Sequence, residues 1–171
     1  MKKRFISVLL ALMIALSLCT GAFAAYPGMD NFEATKIYGD GVFSDVSADD
    51  WYRDPVAECY EYGLMDGKDA GVFDPDGGLT IAEAIVMADQ INSIYFTGTV
   101  TKPSGDPWYA GYVEYAVDNG IIDAGDFYDY DVGATRAQMA YIFANALPDA
   151  EYGVLAAVQS VPDVAPSDEY A

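Results

Sequence analysis

The stretch Trp51-Tyr52-Arg53-Asp54-Pro55-Val56-Ala57-Glu58-Cys59-Tyr60-Glu61-Tyr62-Gly63-Leu64-Met65-Asp66 decides how this chain is read, because its pattern returns 57 residues later at Trp108. Each tryptophan has an aspartate two residues before it (Asp49, Asp106) and a tyrosine directly after it (Tyr52, Tyr109). The segments between align without a gap: Val56 on Val113, Cys59 on Ala116, Tyr60 on Val117. Gly63-Leu64-Met65-Asp66 falls on Gly120-Ile121-Ile122-Asp123. The correspondence resumes at Leu79-Thr80-Ile81-Ala82-Glu83 and Ala134-Thr135-Arg136-Ala137-Gln138, where the period is 55. A self-similarity of this length marks a repeat architecture.

One unit reads as helix, loop, helix. Val56, Cys59, Tyr60 and Gly63 fall at i, i+3, i+4 and i+7, the stripe of an amphipathic helix, with Pro55 placed in its first turn. Gly63 and Gly120 stand where a helix end needs a left-handed residue. Thr80-x-x-Glu83 and Thr135-x-x-Gln138 predict capping boxes opening the second helix of each unit. Behind them run the apolar sets Ile81, Ala84, Ile85, Ala88, Ile91 and Ile94, then Met139, Ala140, Ile142, Phe143, Ala146 and Leu147. Residues 67–78 read as loop, with Phe73 as its anchor into the core. Cys59 reads as a small buried apolar residue.

Lys2, Lys3 and Arg4, an apolar run from Phe5 to Leu18, and Ala22-x-Ala24 have the layout of a secretory signal peptide. Cleavage would start the mature chain at Ala25 and remove Cys19, leaving Cys59 without an intrachain partner. Five basic residues would then face 27 acidic ones, a formal charge of −22 over 147 residues. That field disfavours nucleic acid and anionic lipid. No later segment is long and apolar enough to span a bilayer, so no membrane span is expected after cleavage.

Phe43-x-Asp45-Val46, Trp51-Tyr52, Gly63-Leu64-x-x-Gly67, Gly71-x-Phe73-x-Pro75 and Leu79-Thr80-x-Ala82-Glu83 together resemble an S-layer homology repeat. The second unit repeats the likeness from Trp108 through Thr135-Arg136-Ala137-Gln138. The resemblance implies an all-α fold of tandem helix-loop-helix repeats, here an incomplete three-prong helical spindle. The expected organisation is a signal peptide at 1–24, a lead-in at 25–41, a first repeat at 42–96 and a linker at 97–105. A second repeat follows at 106–148, and the start of a third at 149–171, where Pro162-Asp163-Val164 echoes Ser44-Asp45-Val46.

The resemblance further implies a secreted, non-catalytic module at the cell wall or S-layer. Its partner would be a secondary cell-wall polymer or peptidoglycan-linked polysaccharide, often pyruvylated, held in grooves between prongs. It implies no cofactor and no metal. The family's groove arginine corresponds to Arg136, beside Thr135, whereas the first unit has Ile81 there. Arg136 is thus a candidate for a bidentate contact to an acidic sugar; the other reading is a surface arginine offsetting the negative charge. Trp51 and Trp108 either stack on a sugar ring or anchor the core. Asp49, Asp106 and Asp168 either line the groove or cap the following helices, with capping the favoured reading. A face open to a third unit leads us to expect self-association or marginal stability.

The sequence admits three further readings. The chain could be a fragment of a larger S-layer or envelope protein whose effector domain is missing. A wall-glycan enzyme is disfavoured, since the sequence has no histidine, nucleophile elbow or phosphate loop. Asp74-Pro75-Asp76-Gly77-Gly78 lacks a full calcium-loop pattern and reads as a loop.

Overall fold

The computed structural model describes residues 27–152. The expected signal peptide, and the echo of a third unit from Pro162 to Asp168, lie outside the described residues. Four α-helices carry the fold: α1 (Arg53–Glu61), α2 (Ile81–Thr97), α3 (Ala110–Asp118) and α4 (Arg136–Ala144). Short 3-10 turns stand at Met29–Asn31 and Asp149–Glu151. Among the described residues the only β pairing consists of two isolated bridges, so the fold is all-α.

Local chemistry sets the helix ends as expected. Thr80 Oγ1 accepts from Glu83 N (3.2 Å) while the Glu83 carboxylate accepts from Thr80 N (2.7 Å). Thr135 and Gln138 repeat this at 3.2 and 2.9 Å. At the end of α1, Gly63 adopts φ 74°, and Leu64 N donates to Cys59 O at 2.8 Å. Gly120, at φ 70°, and Ile121 close α3 in the same way on Ala116 O, also at 2.8 Å. Both ends are Schellman motifs, in which the left-handed glycine lets the chain turn back onto orphan carbonyls.

The first helices do not start on aspartates. Tyr52 and Tyr109 occupy the N-cap positions without a side-chain bond, so the capping reading of Asp49 and Asp106 is corrected. Asp50 instead fixes the turn ahead of α1, its carboxylate accepting from Ser47 N and its backbone carbonyl from Arg53 N. Asp168 lies outside the described residues.

Packing crosses between units. Among the described residues neither unit's two helices pack on each other; α2 packs on α3, α4 and the Met29–Asn31 turn. Ile81, Ala84, Ile85 and Ala88 of α2 thereby meet Ala116, Ile121, Ile122, Phe127, Ile142 and Ala146 in one apolar core. Ala140 is exposed and Phe143 half-buried, unlike the expectation for α4. The loop before α4 runs along the start of α2: Ala134 N donates to Leu79 O, Ile81 N to Val132 O and Ala82 N to Tyr130 O, at 2.8–3.0 Å. Two first-turn N–H groups that a helix leaves unpaired are thus satisfied by the other unit.

A second cluster sits beside α1. Phe73 packs on Phe43 (5.4 Å between centroids), and Phe43 on Tyr60 (5.6 Å) and Tyr38 (6.1 Å). The Asp45 carboxylate fixes the loop by accepting from Phe73 N and Asp74 N. Phe73 is therefore an anchor, but into this aromatic cluster rather than the aliphatic core. Cys59 is half-buried on α1, where burial raises its thiol pKa and keeps it inert.

Candidate functional site

A groove of about 590 Å³ lies between the two units. The Leu64–Lys68 segment and the Phe73–Leu79 loop form one wall. Glu83, Val86, Met87 and Gln90 of α2 contribute a second side, and Lys102, Trp108 and Tyr112 close the third. The groove exists because α2 belongs to one unit and packs on α3 of the next, leaving a furrow alongside.

Its charges are matched within it. Lys68 Nζ donates to Gly78 O at 2.7 Å and lies 3.8 Å from Asp74 and 3.9 Å from Glu83. Lys102 lies 3.3 Å from Asp66, which also pairs with Lys36. Burial pushes the Asp66 carboxyl up, but hydrogen bonds from Lys36 and Lys102 outweigh it and hold its pKa below the usual value.

Trp108 stands at this groove, 52 % exposed, with its ring edge-on to Tyr109 (5.5 Å) and Tyr112 (6.4 Å). Trp51 is 87 % exposed and makes a T-shaped contact with Tyr52, away from the groove. Neither tryptophan anchors the core, so that alternative is corrected. Asp49 and Asp106 are exposed and do not line the groove. Thr135 spends its hydroxyl on the capping box.

Arg136 is the first residue of α4, exposed, outside the groove, and in no ion pair among the described residues. Its counterpart Ile81 is 2 % exposed beneath the Val132 backbone. Of the six described residues singled out from sequence, the groove gathers Trp108 alone. It adds Lys68, Lys102, Asp66, Glu83, Gln90 and Tyr112. The two lysines carried a signal: they are two of only five basic residues beyond the first 24.

Among the described residues no helix is long and apolar enough to cross a membrane, and no three acidic or cysteine side chains converge as a metal-ligand set.

The model of the S-layer homology domain matches residues 42–85. The surface-layer 125 kDa protein of Lysinibacillus sphaericus is 29 % identical over 122 residues, 66 % of this chain and 10 % of the relative. The S-layer protein sap of Bacillus anthracis is 30 % identical over 108 residues, 61 % of this chain and 13 % of the relative. The chain thus spans only about a tenth of the length of these relatives. No solved structure matches it. The domain and the relatives indicate a secreted cell-surface or S-layer protein. The match identifies residues 42–85 as an S-layer homology domain, and the second unit repeats the same sequence pattern.

Proposed function

We propose that this chain is a non-catalytic anchoring module that binds a cell-wall polysaccharide in the groove between its two units. The observation that carries the proposal is Trp108, exposed beside a furrow lined by apolar side chains and convergent polar groups. An aromatic face with hydrogen-bonding neighbours suits a sugar ring, which presents C–H and hydroxyl groups together. Arg136 supplies a separate contact for a carboxylate or phosphate on the glycan, reinforced by the positive end of α4.

The groove's carboxylates favour binding over hydrolysis. A glycosidase acid needs a raised pKa and a free carboxyl. Glu83 is committed to the Thr80 cap, and Asp66 is held ionised by two lysines. Asp89, whose pKa is pushed up to about 8 by burial, is sealed inside α2's packing and does not line the groove.

A second reading concerns context. The matched relatives are roughly tenfold longer than the matching stretch, which favours the module serving as the wall-binding part of a larger envelope protein.

Co-sedimentation with purified cell walls, native and stripped of secondary polymer, tests the anchoring reading. Capture by native walls and loss on stripped walls is expected. Release of reducing sugar from either, or equal capture by both, would overturn it.

A further inference from the structure

We propose that Asp89 is a proton-operated latch on the seam between the two units. With its carboxyl neutral, α3 closes on α2; loss of the proton lets water into the seam and frees α3. The device goes beyond the anchoring reading and does not depend on what the groove holds.

The seam changes character along α2. At its start, Ile81, Ala84, Ile85 and Ala88 belong to the apolar core shared with the second unit. One turn further on the contacts are polar. Asn92 Oδ1 accepts from the Tyr115 hydroxyl of α3 at 2.9 Å, and Asn92 Nδ2 donates to Ala146 O at 3.0 Å. Ser93 Oγ accepts from Thr101 N, ahead of α3, at 3.0 Å. Water replaces such bonds at small net cost, so this is the end of the seam that wets first. Asp89 stands at the boundary, four residues after Ile85 and three before Asn92, on the same face of the helix.

Its burial is complete, and neither carboxyl oxygen has a hydrogen-bond partner among the described residues. A buried carboxylate without a partner is strongly disfavoured, so the closed seam retains the proton. Burial pushes the pKa up to about 8. From α3 it is faced by Tyr112 and Tyr115, whose hydroxyl pKa values are raised first by burial and further by the charge of Asp89. On α4, Tyr141 donates to Asp126 at 2.7 Å and Arg136 is exposed. Asp30 in the Met29–Asn31 turn is exposed, and Lys102 ahead of α3 is paired with Asp66. Among the described residues, then, no lysine or arginine pairs with Asp89 to hold it ionised.

Once the seam opens, water solvates the carboxylate and its pKa returns to about 4. Opening thereby releases one proton, and the open fraction rises about tenfold per pH unit between the two values. Tyr112 lines the groove as well, so opening this seam displaces one of the groove's sides.

Amide hydrogen exchange of the secreted chain at pH 5 and pH 7, each rate divided by its intrinsic value, tests the latch. Protection of the α3 amides should fall about a hundredfold between the two pH values. The α1 amides, beside the separate aromatic cluster, should change by less than threefold. Asp89→Asn should hold the α3 change below threefold as well. Asp89→Ala, which installs the residue found at the corresponding position of α4, should do the same and stands in if the asparagine variant folds poorly. An α3 protection that does not fall with pH in wild type would overturn the inference. So would an equal fall in α1, which marks global unfolding rather than an opening seam, or a fall that survives in a folded Asp89 variant.

Discussion

The starts of α2 and α4 share one capping chemistry and meet opposite surroundings. Thr80-Glu83 and Thr135-Gln138 close the same reciprocal bonds at nearly the same distances. Over the first lies the Tyr130–Ala134 loop, which buries Ile81; at the second, Arg136 faces solvent. Local sequence therefore builds the helix start, and the neighbouring unit decides whether that start becomes core or surface. Arginine fits at the first position of a helix only where nothing covers it.

Exchanging the two residues is the strongest way to break this contrast. Ile81→Arg should destabilise the fold by about 3–5 kcal/mol, because the guanidinium would be buried without a partner. Arg136→Ile should change stability by no more than about 0.5 kcal/mol, as for an ordinary surface substitution. Urea unfolding of both variants checks the pair.

A second contrast lies further along the same helices, where Asp89 of α2 corresponds to Ala144 of α4. Asp89 is fully buried, and its carboxylate oxygens have no hydrogen-bond partner among the described residues. Burial pushes its pKa up to about 8. Between about pH 4 and 8 the folded state holds a proton that the unfolded state has lost. Stability attributable to this group therefore falls as pH rises, by about 1.4 kcal/mol per unit, and levels off above the folded pKa. Asp89→Asn should remove that slope, so its advantage over wild type should be larger at pH 7 than at pH 5. Parallel denaturation curves at the two pH values read the difference.

At the open helix start, Arg136→Ala should weaken binding to native wall polymer by about 1.5–3 kcal/mol, the range of a charge-assisted hydrogen bond. Binding isotherms measure this. The cap variants should give smaller effects than the buried substitution at Ile81. Thr80→Ala should cost about 1–2 kcal/mol beneath the covering loop, and Thr135→Ala about 0.5–1 kcal/mol in the open, both by thermal or urea unfolding.

The sequence disclosed what depends on near neighbours. Gly63 and Gly120, both capping boxes and the α2 stripe were legible because each is set within one or two helical turns. Which helix packs on which was not, since α2 meets α3 and α4 rather than α1 through contacts between units. Sequence leaves the tryptophans between stacking on a sugar and anchoring the core, because large aromatics usually pack; in the fold the tyrosines beside them are the more buried partners. Asp49 caps nothing, because the chain enters α1 through Tyr52, whose position has no side-chain cap. Lys68 and Lys102 had no local signature, being brought to one groove from segments on either side of α2.

The central claim, that this groove holds a wall glycan through Trp108, is tested most directly by the affinity of Trp108→Ala for purified native wall polymer. The side chain is half exposed and outside the core, so the variant should fold, which circular dichroism confirms. The dissociation constant should rise roughly tenfold, about 1.4 kcal/mol, from loss of the stacking face. A folded Trp108→Ala protein that binds as tightly as wild type would contradict the account.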